Sequence, residues 1–267
     1  LDTARRTLEL TESVDDPEGM VSSLQRLGGA ERLVGDYEAA EAHLRRAVAL
    51  GEEHRLHYFV GHALAAWSAL DLDRDRPGEA LERARSAERA AEASEVPAVL
   101  AMSCYAVGLA ALAAGDAETA VISLARARDR WRDLALRTES VEAEAALAEA
   151  LLLAGRPEEA LTVAHRAAVA MGPEGPDPTG EPHPGRGLVA CARVFAVLDP
   201  DRLADTASTA DRFLAHRAAL IADAEVRDAF LSAPDCRALA ALAGAPGAAG
   251  TTPARPGGTP AGTGVSS

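Results

Sequence analysis

The stretch Leu27-Gly28-Gly29-Ala30-Glu31-Arg32-Leu33-Val34-Gly35-Asp36-Tyr37-Glu38-Ala39-Ala40-Glu41-Ala42-His43-Leu44-Arg45-Arg46-Ala47 returns three more times down the chain, each time after forty residues. The second copy keeps Trp67-Ser68, Asp75-Arg76-Pro77, Ala80, Ala84 and Ala87. The third keeps Val107-Gly108, Gly115-Asp116-Ala117, Ala120, Leu124 and Ala127. The fourth keeps Leu147-Ala148, Gly155-Arg156-Pro157, Ala160, Ala164 and Ala167. Four copies at one spacing without a gap mark an array in which each unit packs on its neighbours, not four separate domains.

Each recurring residue has a mechanical task. Gly28, Ser68, Gly108 and Ala148 are small on the first helix of a hairpin, and Ala40, Ala80, Ala120 and Ala160 are small on the second, which permits a close helix crossing. Gly35, Gly115 and Gly155 stand where the first helix stops, at a position that favours a left-handed backbone. Pro77 and Pro157 open the second helix, where a missing N–H costs nothing. These residues resemble the tetratricopeptide repeat (TPR) family: a large residue then Gly or Ala on helix A, a Gly-Asp-Tyr-like turn, and Ala, a bulky residue and Ala on helix B. The resemblance covers about residues 20–170 and implies an all-α fold, an α-solenoid of stacked antiparallel helical hairpins wound as a right-handed superhelix. The departure is the period, forty where the family has about thirty-four; longer helices or longer links absorb the difference.

Composition narrows the function. The formal charge is −14, and with no lysine in the chain all 27 basic residues are arginine. Such a balance opposes direct nucleic-acid binding, which needs a cationic footprint. Without lysine there is no Walker A phosphate loop and no Schiff base. Aromatics are 3% and hydrophobic residues 48%, so the interior must be built from Ala, Leu and Val. Cys104, Cys191 and Cys236 form no CxxC pair and read as reduced thiols of a cytoplasmic protein. No secretion signal opens the chain. Val96 to Gly115 runs without a charge, but it is Ala-rich and in register with the repeats, so no membrane span is expected.

Counting back from Leu44 and Ala47 by one period reaches Ala4 and Thr7, so residues 1–16 read as the second helix of a preceding repeat. Repeats follow at about 17–56, 57–96, 97–136 and 137–171. Residues 172–186 are rich in Pro and Gly and read as a loop. Within 187–242, Leu188 to Leu198 and Arg202 to Leu220 read as a degenerate fifth hairpin turning at Asp199-Pro200-Asp201, followed by two short capping helices. Residues 243–267 read as a disordered tail. Asp223, Val226-Arg227, Phe230-Leu231 and Arg237-Ala238-Leu239 resemble the end of the helical-repeat region of large bacterial signalling ATPases of the AAA or STAND kind, among them helix-turn-helix transcriptional regulators and nucleotide cyclases. That likeness implies ATPase and output domains upstream of Leu1, whose motifs are not in this sequence.

Candidates for chemistry each have a plainer reading. His54, His57 and His62 lack further metal ligands nearby in sequence, and Asp71, Asp73 and Asp75 lack the Gly and the distal Glu of a calcium loop. Glu142, Glu144 and Glu149 share a helix and read as a solvated acidic face. Cys104 reads as a small core residue. No catalytic set, metal site or cofactor is expected. The resemblance instead places a partner-binding groove on the first helices, at Ser22, Gln25, Arg32, His62, Met102, Tyr105, Leu109, Leu112, Glu142, Glu149 and Leu152. Met102, Leu109 and Leu112 equally suit packing against adjacent helices. The implied function is a protein-interaction module taking a protein or peptide ligand, one with an apolar anchor and a basic flank, either as the sensor arm of a signalling ATPase or as a stand-alone adaptor.

Overall fold

The structure, a computed structural model, describes residues 1–172, 175 and 185–243. Most of the expected loop and the expected tail lie outside them. The described residues form helices and no strand. In order these are α1 (Asp2–Ser13), α2 (Pro17–Leu33), α3 (Tyr37–Glu53), α4 (His57–Asp73), α5 (Pro77–Ser94), α6 (Pro97–Ala113) and α7 (Ala117–Asp133). They continue with α8 (Arg137–Leu153), α9 (Pro157–Met171), α10 (Arg186–Leu198), α11 (Pro200–Ala219), α12 (Ala224–Leu231) and α13 (Pro234–Ala243). Each helix packs on the next, and the first helix of each hairpin also packs on the first helix of the hairpin after it: α2 on α4, α4 on α6, α6 on α8 and α8 on α10. That pattern is a solenoid of antiparallel hairpins.

The period of forty has a simple anatomy. Most repeat helices are 17 residues long, and three residues link each to the next. The extra length therefore lies in the helices, with the turns kept tight. In every repeat turn but that between α5 and α6, one amide donates back to the carbonyl five residues earlier: Asp36 to Glu31 at 3.0 Å, Leu56 to Gly51 at 2.8 Å, Arg76 to Asp71, Asp116 to Ala111, Leu136 to Trp131 and Arg156 to Leu151 all at 2.9 Å. This closure satisfies end carbonyls and needs a left-handed residue just before the donor. Gly35, Gly115 and Gly155 supply it with φ of 79°, 78° and 71°, and Arg55, Asp75 and Ala135 adopt it with φ of 57° to 58°.

Inside each hairpin the small positions are matched in size to their partners. A Cβ on Gly28 would lie 2.8 Å from Cγ of Leu44, and one on Gly108 would lie 2.5 Å from Cγ of Leu124. Where the first helix carries Ser68 or Ala148, the equivalent partner is Ala84 or Ala164. A glycine thus faces a leucine and a larger residue faces an alanine, so the crossing distance stays similar in all four repeats. Ser68 uses its hydroxyl there as well, donating to the Ala80 carbonyl at 2.8 Å.

Paired polar residues concentrate within and between the first two hairpins. Arg32 donates to Asp73 at 2.6 Å, Arg74 engages Glu41, and His43 meets Glu31 at 2.7 Å. Asp71, only 1% exposed, lies 3.0 Å from Arg83. Burial pushes its carboxyl up to about 6, against the pull of Arg83. In the third and fourth copies the positions of Glu31 and Asp71 are taken by Ala111 and Leu151, both inside the main apolar core or buried beside it.

At the C-terminal end α10 begins at Arg186, two residues earlier than the sequence suggests, behind Gly185 with φ 78°. Asp199 caps α11 directly, so a single residue links the fifth hairpin's helices. Helix α13 lays Leu239 into a cluster with Leu188, Val189, Ala210 and Phe213, closing the apolar end of the array as terminal units must.

Candidate functional site

The residues expected in a groove fall on four register positions of the first helices: Ser22 with His62, Met102 and Glu142; Gln25 with Tyr105; Leu109 with Glu149; and Arg32 with Leu112 and Leu152. Positions three, four and three apart make one helical stripe. The structure resolves this stripe into two unlike halves. In the first, Arg32 is engaged by Asp73 of the next hairpin, and His62 packs its ring 4.8 Å from that of Tyr58, where burial lowers its pKa. Ser22 and Gln25 are half-buried and stand apart from the cavity described below.

In the second half the stripe turns apolar. Tyr105 is 4% exposed, donates to Glu142 at 2.7 Å and packs against Trp131. It ties α6 to α8 from within the core. Met102, Leu112 and Leu152 are partly buried against the same core. Four of the expected residues, Leu109, Leu112, Glu149 and Leu152, line a single cavity of about 520 Å³, together with Ala113, Leu153, Arg186 and Arg193. Cavities of a few hundred to a thousand cubic ångströms are the size at which proteins hold small ligands or side chains of a partner. Three successive hairpins contribute to it through α6, α8 and α10. Sequence reasoning missed Ala113, Leu153, Arg186 and Arg193. Ala113 and Leu153 share one register position at a helix end, directly after that of Leu112 and Leu152, and that adjacency is the signal that could have found them. Arg186 lay in a stretch read as loop.

The electrostatics of this cavity are lopsided. Arg193 donates to Glu149 at 2.6 Å, which neutralises the carboxylate expected to attract a basic ligand. Two more carboxylates of α8 are also committed, and they are not the solvated face the sequence suggested. Glu142 and Glu144 are both buried; the first accepts from Tyr105 and the second accepts from Arg166 at 2.6 Å. The helix packs on α6, α7, α9 and α10, so little of its surface is left for water. No proton-transfer pair is formed by these groups.

Asp71, Asp73 and Asp75 occupy the end of α4 and its turn, where the first two hold arginines and the third takes the left-handed backbone. Among the described residues no group of three or more His, Cys, Asp or Glu is placed to hold a metal ion. Cys104, Cys191 and Cys236 are buried, and burial pushes their thiols up to about 11, 12 and 12. The charge-free stretch from Val96 to Gly115 forms α6, packed among α4, α5, α7 and α8. Among the described residues no helix is long and apolar enough to cross a membrane.

No family model matches the chain, and no curated protein matches it significantly. Solved structures do match. The chain is similar to Rap protein complexed with competence and sporulation factor, with a TM-score of 0.58 at 16% identity over 91% of this chain and 68% of the other. The fold is a TPR-like solenoid. A kinesin light chain of Podosopora anserina with nearly identical TPR-like repeats gives a TM-score of 0.52 at 16% identity, over 76% of this chain and 97% of the other. A variant of that protein gives 0.53 at 16%, over 75% and 95%. At this identity the likeness is one of architecture, an array of helical hairpins.

Proposed function

We propose that this chain is a protein-interaction module whose first-helix face holds a protein or peptide segment, with no covalent step of its own. The observation that carries the reading is the cavity over α6, α8 and α10, where four independently expected groove residues converge. Peptide recognition of this kind works by shape and by placing side chains into an apolar floor. The similarity to Rap protein, whose solved structure holds competence and sporulation factor, supports a partner of that general class.

Within this reading the chain serves as the sensor arm of a larger cytoplasmic signalling ATPase, coupling an occupied groove to domains encoded upstream; the resemblance of its closing segment supports that context. A stand-alone adaptor is the other form the same module takes. A photo-crosslinking amino acid at Leu153, compared with the same group at Val169, which is exposed on α9 away from the cavity, tests the groove. Adducts with a partner at position 153 and none at 169 support it. Equal labelling at both positions, or labelling at 169 alone, refutes it. Recovery of an in-frame nucleotide-binding loop upstream favours the signalling arm over the adaptor.

A further inference from the structure

We infer that the cavity selects segments in which an aliphatic side chain stands next to a carboxylate, with Arg186 as the group that reads the acid. This rests on the groove reading above and reverses the charge that the sequence suggested for the ligand. Leu109, Leu112, Leu152 and Leu153 give the cavity an apolar floor, which suits an aliphatic side chain.

The polar side turns on which charges are already taken. Glu149 accepts from Arg193, so it no longer calls for a basic ligand. Arg186 is different. It stands at the first residue of α10 and lines the cavity, and among the described residues its guanidinium has no direct hydrogen bond or ion pair. Burial works against its charge, but the nearby Asp235, Tyr105, Asp73 and Glu149 outweigh burial and raise its pKa. A cation held charged at longer range, with no direct partner among the described residues, is equipped to meet a carboxylate in the two-pronged way a guanidinium allows. Lining the same cavity as Leu112, it places an acid beside an aliphatic side chain on one ligand.

The test is selection of a random dodecapeptide display library on the full chain, followed by fluorescence polarisation of the winning peptides on wild type, Arg186→Gln and Leu153→Glu. Leu153 is half exposed, so the second variant changes the cavity without loading the core; circular dichroism melting checks both. Winners that pair Leu, Ile or Val with Asp or Glu support the inference if they bind Arg186→Gln about tenfold or more weakly. Changing the acid to its amide in the peptide repeats the test without altering the protein, and it should cost a similar factor. Winners that lose affinity on Leu153→Glu, yet carry no acid or ignore both the Arg186→Gln change and the amide swap, overturn the inference and leave the groove reading standing. Failure to enrich any peptide sensitive to Leu153→Glu overturns both.

Discussion

The matched sizes at the hairpin crossing can be tested by converting the third repeat into the fourth. Leu124 is fully buried, so Leu124→Ala alone removes well-packed atoms and should cost about 2–5 kcal/mol, the usual range for such cavities. Gly108→Ala alone places a Cβ 2.5 Å from Cγ of Leu124 and 3.2 Å from its backbone nitrogen. Overpacking of this kind costs about 1–3 kcal/mol, and replacing a mid-helix glycine returns about 1 kcal/mol, leaving a net loss of up to about 2 kcal/mol. In the double variant the side-chain clash disappears because Cγ is gone. The propensity gain remains and the new methyl fills part of the hole, as Ala148 does opposite Ala164. The pair should therefore be about 2 kcal/mol more stable than the sum of the single changes implies. Urea unfolding of the four proteins, followed by far-UV circular dichroism, measures it. Additivity to within about 0.5 kcal/mol would refute size matching as the reason for glycine at this position.

Ala135 adopts a left-handed φ of 58°, so Ala135→Gly should stabilise the chain by about 1 kcal/mol, while Gly115→Ala at φ 78° should lose a similar amount; opposite signs in urea midpoints check the turn geometry. Asp71 has a folded-state pKa of about 6 above a reference of 3.8, so the folded state binds this proton more tightly. Its contribution is therefore greatest below pH 3.8 and is withdrawn as pH rises to about 6. Asp71→Asn should accordingly gain on wild type, by on the order of 2 kcal/mol, between pH 4 and 7; a difference that stays flat with pH contradicts the assignment. The three buried thiols, pushed up to about 11 and 12, should resist a thiol-reactive dye at pH 8 in the native protein and all react in denaturant. Rapid native labelling of any one shows that its helix opens.

Much of the architecture was legible because it is written locally and repeatedly. Gly35, Gly115 and Gly155 announced the turns that their positive φ values make, and Pro77 and Pro157 announced the helices they start, whereas Pro200, read as part of a turn, opens α11. The anatomy of the forty-residue period was not legible, because a longer helix and a longer link fit the same count, and the equivalent turn positions include Arg55 and Ala135, which give no hint of a left-handed backbone. The cavity was half legible. Leu109, Leu112, Glu149 and Leu152 follow from register alone, but what neutralises Glu149 is Arg193, forty-four positions away, and Arg186 belongs to a hairpin that has left the repeat pattern. The acidic residues of α8 misled for a related reason: Glu142 and Glu144 find partners on other helices, Tyr105 and Arg166, that no periodicity connects to them.

The division of the first-helix stripe into an ionic and an apolar half has a cause in one pair of positions, and that cause suggests a way to remove the proposed site while keeping the solenoid. Arg32 and Asp73 bridge the first two hairpins with side chains 6% and 12% exposed; at the same register the third and fourth hairpins carry Leu112 and Leu153, which leave the space the cavity occupies. A ligand side chain entering the first interface would have to strip water from, or break, a paired and nearly buried charge, which costs several kcal/mol. Entering the second meets leucines at those two positions, with no ion pair there to break. Grafting the first pair onto the second, as Leu112→Arg with Leu153→Asp, should fill the cavity with an ion pair that the repeat geometry already accommodates once. The melting midpoint should then move by only a few degrees, because such a pair is worth little net, while binding of any peptide selected on the wild-type groove falls by a hundredfold or more. Either single change, which leaves one charge unpaired, should melt lower than the double variant. Peptide affinity that survives the graft would place the partner site elsewhere on the solenoid, and a graft that melts no higher than its single variants would show that the two interfaces are not geometrically equivalent.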